Sequence, residues 1–158
     1  MITVRELVEA DRAWVRQFLA EEAGATRVVS RGKLHYPDTL PGFAALLDDN
    51  LVGLLNYRLD GLEMEVVTLY ASIQRKGVGS ALLEAAKASA VKAGCNRLWL
   101  ITTNDNQPAI DFYTGRGMSL AAIHKDALSQ SRKLKPEIPL YGLGGKAITD
   151  ELEFEMLL

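Results

Sequence analysis

The segment QRKGVGSALL, Gln74 to Leu83, places two glycines at the start of a helical pattern. Glycine inside a helix costs about 0.5–1 kcal/mol relative to alanine, so Gly77 and Gly79 need another reason to be there. A strand that turns directly into a helix leaves the first helical N–H groups unpaired, and these groups attract anions. Because glycine has no Cβ, a phosphate can approach that backbone closely. The segment therefore predicts a phosphate or pyrophosphate site, with a simple tight turn as the alternative.

Two common phosphate-binding patterns do not fit this segment. The P-loop pattern G-x-x-x-x-G-K-[ST] is absent, which disfavours a nucleotide triphosphatase or kinase-like enzyme. The dinucleotide fingerprint requires a third glycine where this chain has Leu82. A second glycine-rich stretch, YGLGGK at 141–146, is followed by no helical pattern and is interpreted as a plain loop.

Apolar periodicity predicts the order β-α-βββ-α-β-α-β-β in one domain covering residues 1–158. This is an α/β fold, a mixed sheet with helices on both faces. Asp11 is expected to cap the first helix and Gly24 to end it. Residues 25–41 are expected to form a loop with one helical turn, and residues 125–148 to be irregular. In the last strand, glutamates alternate with apolar residues, which predicts one buried and one solvated face. The predicted elements are strands at 2–4, 43–48, 51–59, 62–71, 97–103, 118–123 and 152–158, and helices at 11–24, 77–94 and 106–115.

Composition favours a soluble, cytoplasmic protein. The net charge of −2 argues against nucleic acid as a partner. No apolar run approaches the roughly 18 residues of a membrane span, and no signal peptide is visible at the N-terminus. The single cysteine, Cys95, fits a reducing compartment and is interpreted as an inert structural thiol.

Two motifs resemble those of the GNAT acyltransferase superfamily, N-acetyltransferases that use acetyl-CoA. The signature [Q/R]-x-x-G-x-[G/A] of motif A is met by Gln74, Gly77 and Gly79. The later segment NQPAIDFYTGRGM, 106–118, is similar to motif B, N-x-x-A-x-x-x-Y-x-x-x-G-[F/M]. The resemblance covers most of residues 1–124, whereas 125–148 departs from it as a longer and more basic loop.

The resemblance implies a GNAT-like fold and acetyl-CoA as co-substrate. It implies that the CoA pyrophosphate lies on the backbone N–H groups of Arg75, Lys76, Gly77, Val78, Gly79 and Ser80. The pantetheine arm would pair with the preceding strand end at Leu69, Tyr70 and Ala71, because an extended amide-bearing arm can add to a strand edge. That strand end could also donate an N–H to the thioester oxygen as it gains charge. Asn106 is expected to cap its helix, contact CoA, or do both.

Acetyl transfer to an amine needs a neutral amine. An alkylamine with a pKa of about 10 is neutral in roughly one molecule in 10³ at pH 7, a deficit of ~4 kcal/mol that a general base removes. Glu65 matches the position of a catalytic glutamate in some family members, and Glu63 is the second candidate. The alternative is that both glutamates solvate an exposed strand face. An ordinary glutamate is a weak base, so burial or a relayed water would have to help Glu65.

The departing thiolate needs a proton, and Tyr113 occupies the family's general-acid position. Phe112, Trp14 and Trp99 are assigned to the core. The two histidines are isolated without ligand spacing, so no metal is expected.

These patterns predict an N-acetyltransferase in which a primary amine attacks acetyl-CoA directly in a ternary complex. The alternative is a catalytically silent acyl-CoA-binding regulatory module, which would have no use for Glu65 or Tyr113. The acceptor could be a small-molecule or peptide amine. Arg31 and His35 lie in the loop where family acceptors often bind, but a plain solvated loop is the favoured interpretation of both. The basic stretch SRKLKPEIP, 131–139, could contact an acidic partner or form a plain surface. The edge of the last strand could support a homodimer.

Overall fold

The computed structural model describes residues 1–158. The chain combines nine strands with four α-helices, which confirms the predicted mixed α/β class. The strands are β1 (Ile2–Glu6), β2 (Val28–Ser30), β3 (Lys33–His35), β4 (Gly42–Leu47), β5 (Asn50–Asp60), β6 (Glu63–Ala71), β7 (Arg97–Thr103), β8 (Ser119–His124) and β9 (Glu151–Leu157). The helices are α1 (Arg12–Ala23), α2 (Val78–Lys92), α3 (Gln107–Gly115) and α4 (Ala127–Leu134).

The chain divides into two compact units. The first comprises Met1–Val28, Tyr36–Leu98 and Leu158, and the second comprises Val29–His35 and Trp99–Leu157. The assignment of 1–158 to one domain stays a prediction. None of the helices combines the length and the apolar character that crossing a membrane requires.

The first unit contains four antiparallel strands in the order β1-β4-β5-β6. The predicted three-strand meander is confirmed as β4, β5 and β6, with turns at Asp48-Asp49 and Gly61-Leu62. Asp48 and Asp49 both have positive φ, at 49° and 67°, as tight hairpin turns require. β1 adds to the outer side of β4, with Ile2 opposite Leu47.

Helices α1 and α2 lie on opposite faces of these strands, as predicted. Leu54 of β5 packs in a cluster with Val15, Phe18 and Leu19 of α1. The adjacent Gly53 points the other way, since a Cβ built on it would lie 2.5 Å from Val78 Cγ1 at the start of α2. Successive strand residues face opposite sides, so one strand supports both helices.

Two predictions for the first part of the chain are wrong. Residues 25–41 contain the expected helical turn, at Pro37–Thr39, but they are not otherwise a loop. β2 and β3 form a hairpin around Arg31 and Gly32, at φ 49° and 75°. Asp11 makes no side-chain cap to α1. Its carboxylate instead accepts from both Arg5 Nη atoms, at 2.8 and 2.9 Å, and from Val8 N at 2.8 Å. The hydrogen bond from Arg5 is the main reason that the pKa of Asp11 lies below its ordinary value.

The second unit has strands in the order β7-β9-β8, with β8 antiparallel to β9. The last strand therefore has a neighbour on each side, and the prediction that its edge is exposed is wrong. β8 is the outer strand, and Leu120 and Ile123 are 49% and 50% exposed on it.

The predicted irregular segment 125–148 contains helix α4, which the sequence reasoning missed. Arg132 of that helix donates from Nη2 to the carbonyl oxygens of Pro139 and Ile148, at 2.8 and 2.7 Å. Arg132, one of the cations of the basic stretch 131–139, thus binds and orders the backbone that follows α4. The stretch 141–146 is a loop with one 3-10 turn at Leu143–Gly145, in agreement with its interpretation.

The predicted solvated face of the last strand is also wrong at one position. Glu151 is 2% exposed. Its carboxylate accepts from Arg31 Nη1 at 2.9 Å and from Arg31 N at 3.3 Å, which compensates its burial. The glutamate therefore fastens the turn of the β2–β3 hairpin to the first residue of β9.

We expect Gly53→Ala to lower the free energy of unfolding by about 1–3 kcal/mol, because the new methyl group overpacks β5 against Val78 and Leu82. Gly115→Ala is the matched control, since a Cβ there meets nothing within 4 Å. It should leave stability unchanged or raise it by up to about 1 kcal/mol. Chemical denaturation measures both variants. Equal stability of the two would contradict this packing of β5 on α2.

Candidate active site

The connection from β6 to α2 is an exposed turn at residues 72–77. Arg75 and Gly77 adopt left-handed backbone, at φ 60° and 78°. A Cβ on Gly77 would meet no atom within 4 Å, so its glycine is required by backbone conformation and not by crowding inside the protein. The next residue, Val78, is 2% exposed and anchors the start of α2 in the core.

Ser72 N donates to Val52 O at 2.8 Å, but the protein does not use the amides from Arg75 to Ser80. The hydrogen-bond ladder of α2 begins with Ala81 N donating to Gly77 O at 3.0 Å, so the amides of Val78, Gly79 and Ser80 precede it. The amides of Arg75, Lys76 and Gly77 donate to no protein oxygen, and the side chains of Arg75 and Lys76 form no ion pair. Unpaired amides, a helix N-terminus and two cations provide the chemistry that binds a diphosphate.

The predicted pantetheine segment is the last part of β6. Leu69, Tyr70 and Ala71 are half-buried and lie opposite Leu55, Leu54 and Gly53 of β5. Tyr70 packs against the α1 cluster, and burial raises the pKa of its hydroxyl above the ordinary value. Gln74 lies just after this segment, and its Nε2 is 3.4 Å from the carbonyl oxygen of Ala71.

Glu65 is buried in the middle of β6, at 1% exposed. Arg58 of β5 lies opposite, and its Nε donates to Glu65 Oε1 at 2.6 Å. The interpretation of this residue as part of a solvated strand face is therefore wrong. Glu63 fits that interpretation better, because its side chain is 44% exposed while it pairs with Arg97 Nη1 at 2.9 Å.

A register break between β5 and β6 determines where Glu65 points. Asn56 lies opposite Thr68, but the next residue, Tyr57, lies opposite Val66, so Val67 is an extra residue in β6. The extra residue reverses the alternation of β6. Glu65 consequently shares a face with Thr68 and Tyr70, although the sequence separations are odd.

The second unit holds the two remaining predicted residues. Asn106 is the N-cap of α3, and its Oδ1 accepts from Ala109 N at 3.3 Å, which confirms the capping prediction. Tyr113 of α3 is half-buried. Its ring lies 5.6 Å from Phe112 in an edge-on arrangement and 6.1 Å from Phe154, measured between centroids.

The first unit contains Glu65, the end of β6 and the turn at 74–80. The second unit contains Asn106 and Tyr113. Their roles stay predictions. Sequence reasoning missed Arg58, Asn56 and Thr68, which surround Glu65 on the paired strands. The available signal was the polar pair Asn56 and Arg58 at alternate positions of an otherwise apolar strand.

The fold is shared with solved structures of acetyltransferases. The chain superposes on IAA acetyltransferase from Bacillus cereus ATCC 14579 with a TM-score of 0.79 over 100% of both chains, at 19% identity. It superposes on a Bacillus subtilis acetyltransferase in complex with CoA with a TM-score of 0.70, over 99% of this chain and 97% of the other, at 18% identity.

Sequence similarity gives the family. The family model described as "Acetyltransferase (GNAT) family" matches residues 5–118. The uncharacterized protein YdhI of Bacillus subtilis (strain 168) is 36% identical over 151 residues, which cover 95% of this chain and 94% of that protein. The chain belongs to the GNAT acetyltransferase family. It is an acyltransferase, and its family supports acetyl transfer from acetyl-CoA.

We expect Gly77→Ala to weaken CoA binding at least ten-fold, because a Cβ at φ 78° strains the turn and enters the space above the unpaired amides. Isothermal titration calorimetry with CoA measures the effect. Gly94→Ala is a matched control at the other end of α2, with φ 82° and nothing within 4 Å of its Cβ. Both variants should lose similar stability, and only Gly77→Ala should lose affinity. Equal CoA affinity of the two variants would contradict a phosphate site at Gly77.

Proposed function

We propose that this protein is an N-acetyltransferase that transfers acetyl from acetyl-CoA to a primary amine by direct attack in a ternary complex. The observation that carries the proposal is the turn from Arg75 to Gly77, whose amides donate to no protein oxygen. Exposed amides without an internal partner at a helix N-terminus are available to a bound phosphate. Family membership identifies acetyl-CoA as the ligand of the appropriate chemistry.

The amides from Arg75 to Ser80 would hold the diphosphate, and Arg75 and Lys76 would add positive charge at its rim. The end of β6 would pair with the pantetheine amides. Gln74 and Asn106 are further contacts in this proposal. Bound in this way, acetyl-CoA supplies an activated thioester carbonyl, and the chain's own groups orient it and move protons around it.

Glu65 is proposed to accept the proton that the attacking amine loses, directly or through water. Its place on β6 supports this role, because the same strand ends in the residues proposed to pair with the pantetheine arm. Arg58 holds the carboxylate in one orientation through the 2.6 Å hydrogen bond to Oε1. Arg58 is thus proposed as a positioning residue for the base.

Tyr113 is proposed to donate the proton that the departing thiolate takes up. A tyrosine hydroxyl with a pKa of about 10 is protonated at neutral pH and can act as an acid. The ring contacts with Phe112 and Phe154 support the role, since they limit the directions in which the hydroxyl can point. No cysteine or serine is needed as a covalent relay.

The acceptor is proposed to be a small-molecule or peptide amine, and the protein is proposed to act in the cytoplasm, where the free thiol of Cys95 would stay reduced. A panel of amines with acetyl-CoA, followed by detection of released thiol, tests the function. Turnover should depend on an amine and yield its N-acetyl product by mass spectrometry. Tight CoA binding without turnover of any amine would overturn the proposal and favour a binding module.

We expect Glu65→Gln to lower kcat by about 10²–10⁴-fold on an amine found in the panel, because the base is lost while the shape is kept. Glu63→Gln is the matched control on the same strand and should change kcat less than about three-fold. The pH profile of kcat/KM distinguishes base loss from misfolding, since raising the pH should partly restore Glu65→Gln by neutralising the amine. Equal activity of the two variants would remove Glu65 from the mechanism.

Tyr113→Phe should lower kcat by roughly 10²-fold or more and leave CoA affinity within about two-fold, because only the acidic hydroxyl is removed. Tyr141→Phe is the control, as this tyrosine is 66% exposed. Steady-state kinetics and calorimetry give the two quantities. Full turnover by Tyr113→Phe would show that another group protonates the thiolate.

A further inference from the structure

The register break in β6 is accompanied by a closed pair of side-chain hydrogen bonds. Asn56 N donates to Thr68 Oγ1 at 2.9 Å, and Thr68 Oγ1 donates to Asn56 Oδ1 at 2.8 Å. Asn56 is 0% exposed and Thr68 2%. The two residues face each other across the strands immediately beside the extra residue Val67.

This pair solves a problem that the extra residue creates. A bulge interrupts the ladder, so a backbone N–H beside it can lose its carbonyl partner. A buried N–H without a partner is strongly unfavourable, and water cannot reach a residue that is fully buried. The Thr68 hydroxyl accepts from the backbone N–H of Asn56 beside the bulge, and the Asn56 side chain fixes the rotamer of that hydroxyl.

The break also decides which residues of β6 share a face. Leu54, Asn56 and Arg58 alternate along β5 and point to the α1 side, where Leu54 packs in the α1 cluster. Opposite them on β6 lie Tyr70, Thr68 and Glu65. In a regular strand Glu65 would point to the α2 side when Thr68 and Tyr70 point to the α1 side.

We propose that Thr68 and Asn56 are positioning residues that fix the register break and thereby hold Glu65 beside Arg58 on the α1 side. The inference rests on the proposed function in so far as Glu65 acts as the base.

The test compares Thr68→Val, which keeps the shape and removes the acceptor, with Thr68→Ser, which keeps the hydroxyl. Ser131→Ala is the control, because Ser131 is buried and its hydroxyl bonds to the Ala127 carbonyl in α4. In Thr68→Val, the backbone amide hydrogen of Asn56 should exchange with solvent about ten-fold faster, and the carboxyl ¹³C resonance of Glu65 should shift. It should lower kcat by about 10- to 100-fold while the KM for acetyl-CoA stays within about three-fold.

Thr68→Ser should restore the exchange rate, the Glu65 resonance and kcat to within about three-fold of the original protein, and Ser131→Ala should change none of them. A Thr68→Val variant with unchanged Asn56 exchange and an unchanged Glu65 resonance would overturn the positioning role, whatever its activity. A Thr68→Val variant with faster exchange at the Asn56 amide but full kcat would show that this pair is not needed for catalysis. If the original protein acetylates no amine, the proposed function fails. The Asn56 exchange rate and the Glu65 resonance still decide whether Thr68 and Asn56 hold the register.

Discussion

The pairing of β5 with β6 is the constraint on which the rest of the structure depends. β5 contacts both helices of the first unit, since Gly53 meets α2 and Leu54 meets α1. β6 carries Glu65 and ends where the turn to α2 begins. The proposed base and the proposed pantetheine segment are thus on one pair of strands, and a change in their register would alter both.

The structure also contains two buried glutamate–arginine pairs. Glu65 and Glu151 are both almost completely buried in strands, and each is paired with an arginine at 2.9 Å or less. Such pairs gain little net stability, because desolvation offsets the attraction, but removing one partner leaves an uncompensated charge. Their benefit is orientation. The Arg58 pair fixes a carboxylate in a strand, and the Arg31 pair fixes a hairpin turn against β9.

Much of the fold could be predicted from local patterns. The meander was evident because Asp-Asn and Asp-Gly turns separate three apolar runs, and α2 because small and apolar residues recur on one face. The hairpin at 28–35 and helix α4 were missed because their anchors are distant in sequence. Arg31 bonds to Glu151, and Leu128 N donates to the Thr149 carbonyl. The buried state of Glu65 was equally hidden, since a strand glutamate is ordinarily solvated and only the bulge and Arg58 bring it inside.

The close approach of Gly53 to Val78 has a consequence for how the molecule responds to change. Val78 directly follows Gly77, so the middle of β5 fixes the height at which α2 starts above the sheet. A bulkier residue at position 53 would lift the helix and carry the turn with it. If the turn binds the donor as proposed, packing in the middle of the sheet would therefore also alter affinity for the donor at the surface.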